Sequence, residues 1–110
     1  MIEHVKYASL SAQQKADKRR EYAVHQEGRC LCGNPLIGPA RQDILDFLGN
    51  APDGYLDRCF PGGWKAFIAN PIHLDHDHAT GLTRAVLHAE CNAYEWLLEQ
   101  WEKEDANANS

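Results

Sequence analysis

The sequence lacks the features of a membrane or secreted protein. Its 110 residues contain no apolar run long enough to span a bilayer. They also contain no basic leader followed by an apolar stretch and a cleavage site, and no internal repeat or low-complexity block. We therefore expect a single cytoplasmic domain without a membrane partner.

Positive charge is scarce, since 11 Lys and Arg stand against 16 Asp and Glu, for a net charge of −5. The balance differs along the chain, with a net charge of +3 over residues 1–41 and −8 over the remainder. This division predicts a basic face near the N-terminus that meets phosphates, and a solvated helix face is the alternative. The candidate DNA-binding side chains there are Lys15, Lys18, Arg19 and Arg20.

The periodicity of apolar residues predicts an α+β chain. Ser11 is a good N-cap for the first helix, and Gly28 follows its end as a stop signal. Tyr22 is among the few large apolar residues of that helix, so we expect it to pack along a narrow stripe. The predicted elements are helices over 11–26, 41–48 and 89–103, a loop over 49–63, a brief strand or turn over 64–68, and strands over 72–77 and 82–87.

The densest chemical information lies in the first predicted strand of the hairpin. Its run HLDHDH, residues 73–78, holds three imidazoles and two carboxylates, which are costly to bury without partners and predict a metal or catalytic site. Further along, His88 and Cys91 are spaced so that both can face one zinc ion. Asn92 then opens the last helix, where its amide oxygen can lie beside a carboxylate of the first strand.

Together these segments resemble the recombination endonuclease VII family of HNH nucleases. The family pattern is a DHDH strand, a TG turn, a second strand with Arg and Leu, and a Cys-Asn pair opening a helix. The resemblance covers about residues 22–96 and implies a small ββα-metal (HNH, or His-Me finger) domain with an N-terminal helix. The matching residues here are Asp75, His76, Asp77, His78, Thr80, Gly81, Arg84, Leu87, Cys91 and Asn92.

The resemblance also implies the roles of the site residues. Asp75 and Asn92 would bind a catalytic Mg²⁺, which Mn²⁺ can replace, and His76 would be the general base. Oxygen ligands suit a hard cation, and a neutral imidazole can deprotonate water while phosphodiester hydrolysis proceeds. Auxiliary positions fall on His73, His78 and Glu95. Arg84 is a candidate phosphate contact, with an ion pair to an acid such as Asp77 as the alternative.

Members of the family hold their fold with a zinc ion bound by two CxxC pairs. Here the first pair is Cys30-Leu31-Cys32, and His88 replaces the first cysteine of the second pair. We expect a structural Zn²⁺ bound by Cys30, Cys32, His88 and Cys91, because Cys30 and Cys32 face the same side of an extended segment. Cys59 could replace Cys30. The other possibility is a domain held by packing alone, with inert buried thiols.

The expected function is a DNA endonuclease that hydrolyses phosphodiester bonds in a bacterial or phage-infected cell, either as a simple nicking enzyme or on branched DNA. DNA is the expected partner, with a homodimer or an association with phage, replication or packaging proteins as further expectations. The alternative is a zinc-stabilised nucleic-acid or protein-binding module with a dormant nuclease site. The single domain divides into an N-terminal segment (1–28), a first zinc half-site (29–35), an insertion (36–70), the ββα-metal core (71–104) and a tail (105–110).

Overall fold

The computed structural model describes residues 2–108 and confirms the α+β class. Three elements form the ββα unit, in which a two-stranded antiparallel hairpin leads without a loop into a long helix. The elements are a 3₁₀ turn (Tyr7–Ser9), α1 (Ala12–His25), α2 (Gln42–Gly49), α3 (Tyr55–Cys59), α4 (Trp64–Phe67), β1 (Ile72–His76), β2 (Thr83–His88) and α5 (Ala89–Ala108).

The hairpin register places the histidine-rich run next to the turn that connects the two strands. Ile72 pairs with His88 at one end, and the register shifts between Asp75 and His76, so that His76 lies opposite Thr83. The connecting turn is closed by the Asp77 carboxylate, which accepts hydrogen bonds from two backbone N–H groups. Because side chains alternate between the two faces of a strand, neighbouring residues of the histidine-rich run point into different surroundings.

The outer edge of β2 is covered by the N-terminal segment and α1. The Thr83 N–H donates to the Val5 carbonyl at 2.7 Å, and the Gln26 amide bonds both the N–H and the carbonyl of Val86, at 2.8 and 2.9 Å. Tyr22 is 1% exposed, and its hydroxyl bonds Thr83 Oγ1 at 2.9 Å. These contacts satisfy an otherwise open strand edge and fix α1 against the hairpin.

α1 begins as the sequence predicted, with a Ser11 and Gln14 capping box. The core lies between β2, α2 and the first turns of α5. Ile44 and Leu48 of α2 are buried in it. A second cluster of aromatic rings joins α4 to α5. It consists of Phe60, Trp64, Phe67 and Trp96.

Three predicted elements were wrong in extent or type. The predicted loop over 49–63 contains α3, and the predicted strand or turn over 64–68 is α4. Both are helices of four or five residues, too short for apolar periodicity to reveal, and they form because Leu56, Trp64 and Phe67 pack against the core. α5 continues past residue 103 to Ala108, so most of the predicted tail over 105–110 is helical, and its last two residues lie outside the described chain. Within residues 2–108 no helix has the length and apolar character needed to cross a bilayer.

Candidate active site and metal centre

Four potential metal ligands meet where the loop after α1 touches the junction of β2 and α5. One ligand atom each from Cys30, Cys32, His88 and Cys91 lies within 4.8 Å of all the others. His88 Nδ1 is 3.7 Å from Cys32 Sγ and 3.5 Å from Cys91 Sγ. Tetrahedral zinc separates neighbouring sulfur and nitrogen ligands by about 3.6 Å and two sulfurs by about 3.8 Å. The cluster could therefore hold a structural metal such as zinc.

The surroundings of this Cys3His cluster also suit a cation. His88 Nε2 donates to the Pro35 carbonyl at 2.8 Å, which leaves Nδ1 unprotonated toward the three sulfurs. A hydrogen bond from the Cys91 thiol lowers the pKa of Cys30 to about 4, and the same pairing raises the pKa of Cys91. One thiolate is thus already favoured before any metal binds. Cys59 is not in the cluster, so the structure favours Cys30 over Cys59 as the fourth ligand.

The second candidate centre surrounds Asp75 on β1. Its carboxylate is only 3% exposed and accepts a 2.6 Å hydrogen bond from Arg84 Nε of β2. The Arg84 guanidinium also lies 3.6 Å from Glu95 and 3.8 Å from Glu99 of α5. Asp77, which the sequence suggested as the ion-pair partner of Arg84, lies farther away at 3.9 Å. The single Arg84 guanidinium therefore lies close to four carboxylates, so the site has an excess of negative charge.

Glu95 has a buried side-chain oxygen that lacks a hydrogen bond within the described part of the chain. Its Oε2 atom is buried and, among the described residues, has no hydrogen-bond partner; the Arg84 guanidinium lies 3.6 Å from this atom, beyond hydrogen-bond distance. Burial, followed by the negative charge of Asp75, raises the pKa of Glu95. A buried carboxylate oxygen without a partner is costly, and a divalent cation bound by oxygen ligands would compensate it. The carboxylates of Asp75 and Glu95 are therefore of the ligand type that the predicted divalent cation prefers.

Asn92, the predicted second metal ligand, is oriented by a relay of hydrogen bonds. Its amide nitrogen donates to His73 Nδ1 at 3.2 Å, and His73 Nε2 donates to the Phe67 carbonyl at 3.0 Å. The carbonyl can only accept, so it fixes the tautomer of His73. Because the amide nitrogen of Asn92 is used in this way, its amide oxygen is the atom left for a cation.

The predicted base, His76, is half-buried at the end of β1. Its ring stacks on Tyr7 with centroids 4.4 Å apart, and the His78 ring lies 5.1 Å away at a steep angle. Burial, then the charge of His78, lowers the pKa of His76, so its neutral form prevails near pH 7. His78 itself bonds Glu99 through Nδ1 at 3.0 Å.

The four basic side chains of α1 differ in their surroundings. Lys18 bonds the Glu3 carbonyl and the Glu21 carboxylate, both at 2.9 Å, and Arg20 pairs with Asp17. Lys15 instead lies against the Tyr7 ring, 4.3 Å from its centre, close to the hairpin. Arg19 is half-buried on the same helix.

Sequence reasoning missed three contributors to this site. Glu99 lies four residues after Glu95, and so shares its helix face, which is a signal that could have identified it. The Phe67 carbonyl is a backbone group with no signature in the sequence. Tyr7 lies about seventy residues from His76 in the chain, and no motif connects the two residues.

Comparison with known proteins finds a family match over the hairpin and α5. The family model of recombination endonuclease VII matches residues 57–106, which include α4, β1, β2 and most of α5 but neither Cys30 nor Cys32. No curated protein and no solved structure matches the chain. The family match supports a nuclease that acts on DNA. Over residues 57–106 the chain thus carries the recombination endonuclease VII pattern, and the resemblance predicted from its sequence is confirmed.

Proposed function

We propose that this protein is an HNH-type endonuclease that hydrolyses phosphodiester bonds in DNA with one Mg²⁺ and a histidine general base. The observation that carries the proposal is the pair formed by the buried Asp75 carboxylate and the buried Oε2 of Glu95, which has no hydrogen bond among the described residues. These oxygens lie on the ββα unit, within the segment that matches the nuclease family. A binding module without chemistry has no need for such a costly arrangement.

Asp75 and the amide oxygen of Asn92 would hold the cation, with Glu95 as an auxiliary ligand. The relay from the Phe67 carbonyl through His73 keeps the Asn92 oxygen available, and Arg84 balances the excess carboxylate charge. When bound, Mg²⁺ would polarise the scissile phosphate and stabilise the charge that develops on it. Mn²⁺ prefers similar ligands and is the expected substitute.

His76 would accept the proton of the attacking water. Its lowered pKa keeps the imidazole neutral near pH 7, as a general base requires. His78, exposed and bonded to Glu99, is the candidate to contact the phosphate or the leaving group.

Phosphate contacts along the DNA backbone would come from Arg19 and from Lys15, which lies against Tyr7 beside the hairpin, with Arg84 nearest the scissile bond. Lys18 and Arg20 were predicted as equal partners, but their intramolecular ion pairs reduce the charge that they offer. Such contacts position a duplex without reading its sequence. The Cys3His cluster would hold a structural Zn²⁺ that joins the loop after α1 to the start of α5.

A plasmid-nicking assay tests the proposal. We expect cleavage with Mg²⁺ or Mn²⁺, none with EDTA, and a loss of about 100-fold or more for His76→Ala. His25→Ala is the matched control, because His25 is an exposed residue at the end of α1. Equal rates for His76→Ala and the wild type would rule out the assigned base.

The same assay addresses the alternative function. A zinc-containing protein that binds the plasmid yet cleaves it with neither cation would be a binding module with a dormant site. Linear, supercoiled, single-stranded and four-way-junction substrates, tested side by side, would identify the preferred DNA structure. Sedimentation with and without DNA would test the expected homodimer.

A further inference from the structure

The first residues of the chain form a strap, residues 2–10, that lies outside the segment matched by the nuclease family. Its backbone is fixed to the hairpin at several points. Lys6 forms a bridge with Leu82, the Thr83 N–H donates to the Val5 carbonyl at 2.7 Å, and the Tyr7 N–H donates to the Gly81 carbonyl at 2.9 Å. The backbone of Tyr7 is therefore held next to the hairpin turn.

From this fixed backbone, the Tyr7 side chain extends to the His76 ring and contacts it. The two rings are stacked, with centroids 4.4 Å apart and planes 15° from parallel. Both residues are half-buried, so the contact covers one face of the imidazole. On its other side the Tyr7 ring contacts α1, where Lys15 Nζ lies 4.3 Å from the ring centre.

Within the described chain, the His76 ring is not held by a hydrogen bond, unlike the rings of the neighbouring histidines His73 and His78. His73 is oriented by Phe67 and Asn92, and His78 is oriented by Glu99. Among the described residues, by contrast, none forms a hydrogen bond with the His76 ring, which contacts the rings of Tyr7 and His78. Its orientation therefore depends on packing.

We propose that Tyr7 is a positioning residue for His76, and that the strap thereby completes the active site from outside the ββα unit. The inference rests on the proposed role of His76 as the general base. A base transfers a proton efficiently only when its nitrogen stays within hydrogen-bond reach of the water. Stacking restricts rotation of the imidazole and so limits the positions that its nitrogens can take, without Tyr7 itself touching the substrate.

Two substitutions separate stacking from other effects of Tyr7. Tyr7→Leu removes the aromatic face, while Tyr7→Phe keeps it and removes only the hydroxyl. Tyr55→Leu is the matched control, because Tyr55 is a half-buried tyrosine of α3 that we place outside the active site. Zinc content and the Thr83 amide signal in an NMR spectrum check that each variant is folded with its strap docked.

The first readout is independent of cleavage. In the wild type, the ring current of Tyr7 shifts the carbon-bound protons of His76 upfield, and these signals are identified by their loss in His76→Ala. We expect Tyr7→Leu to abolish the upfield shift, while Tyr7→Phe and Tyr55→Leu retain it. An unchanged His76 signal in Tyr7→Leu would show that the stack does not form and would overturn the inference.

The second readout is cleavage of supercoiled plasmid with Mg²⁺. We expect kcat to fall about 10- to 100-fold in Tyr7→Leu with KM changed less than about twofold, since a misplaced catalytic group costs this much. Tyr7→Phe should keep the wild-type kcat, because it keeps the aromatic ring. A wild-type kcat in Tyr7→Leu would refute the positioning role while leaving the nuclease intact. A wild-type protein that cleaves with neither Mg²⁺ nor Mn²⁺ would instead refute the proposed function itself.

Discussion

Arg84 Nε donates a 2.6 Å hydrogen bond to the carboxylate of Asp75 on the adjacent strand. Asp75 is 3% exposed, so without this partner its charge would be buried and uncompensated. The arrangement pairs the proposed metal ligand with the positive charge of Arg84 before any cation binds. It also means that Arg84 and a divalent cation would neutralise the same group of carboxylates, which makes their effects on stability interdependent.

Removal of the Arg84 charge should therefore destabilise the metal-free protein. We expect Arg84→Met to lower the free energy of unfolding by about 1–3 kcal/mol, because it leaves a buried carboxylate unpaired. Mg²⁺ should recover part of this loss, so it raises Tm more in the variant than in the wild type. Thermal and urea unfolding, with and without MgCl₂, measure both effects.

Arg20→Met is the control for this experiment, since it breaks an exposed pair with Asp17 and should cost less than about 1 kcal/mol. An equal response of both variants to Mg²⁺ would argue against a cation site at Asp75.

The Cys3His cluster predicts one zinc ion per chain, measured by elemental analysis of the purified protein. Cys30→Ser and Cys91→Ser should lose the metal and much of the folded structure, because a domain of this size has a limited core and metal binding contributes to its folding. Cys59→Ser should keep both, since Cys59 is outside the cluster. Zinc bound equally by Cys30→Ser would contradict the ligand set.

The hydrogen-bond relay predicts opposite outcomes for two substitutions of His73. Asparagine can place its amide oxygen near the position of Nδ1 and so still accept from Asn92. Glutamine can place its amide nitrogen near Nε2 and so keep only the bond to the Phe67 carbonyl. We expect His73→Gln to raise the Mg²⁺ concentration for half-maximal cleavage about 10- to 100-fold, and His73→Asn to raise it much less. The same Mg²⁺ requirement in both variants would exclude the relay.

The basic face of α1 predicts a difference between two double variants of equal charge change. Lys15→Gln with Arg19→Gln should weaken DNA binding and reduce the slope of log K against log salt by about two, one for each lost phosphate contact. Lys18→Gln with Arg20→Gln should have a smaller effect, because these residues already pair with Glu21 and Asp17. Binding isotherms over a salt series on catalytically inactive His76→Ala protein measure the slopes, and two identical slopes would contradict the assignment.

Much of the fold could be predicted because its signals are local. Ser11 caps α1 as expected, the strands begin and end within about one residue of their predicted limits, and β2 leads directly into α5. The two halves of the Cys3His cluster were also predicted, since ligand type and spacing restrict which residues can share a zinc ion. The short helices α3 and α4 could not be predicted, because their formation depends on packing against distant residues.

The sequence by itself determined which chemical groups this protein has: the histidine-rich hairpin, the Asn92 amide at the start of α5, and the zinc-type ligands. Only the tertiary structure decided how these groups are paired. The bond between Arg84 and Asp75, the ion pair between Arg84 and Glu95 and the stack of Tyr7 on His76 each join residues from different elements. The spacing of residues along the chain constrains contacts within one helix or strand, whereas contacts between elements depend on the packing of the whole domain.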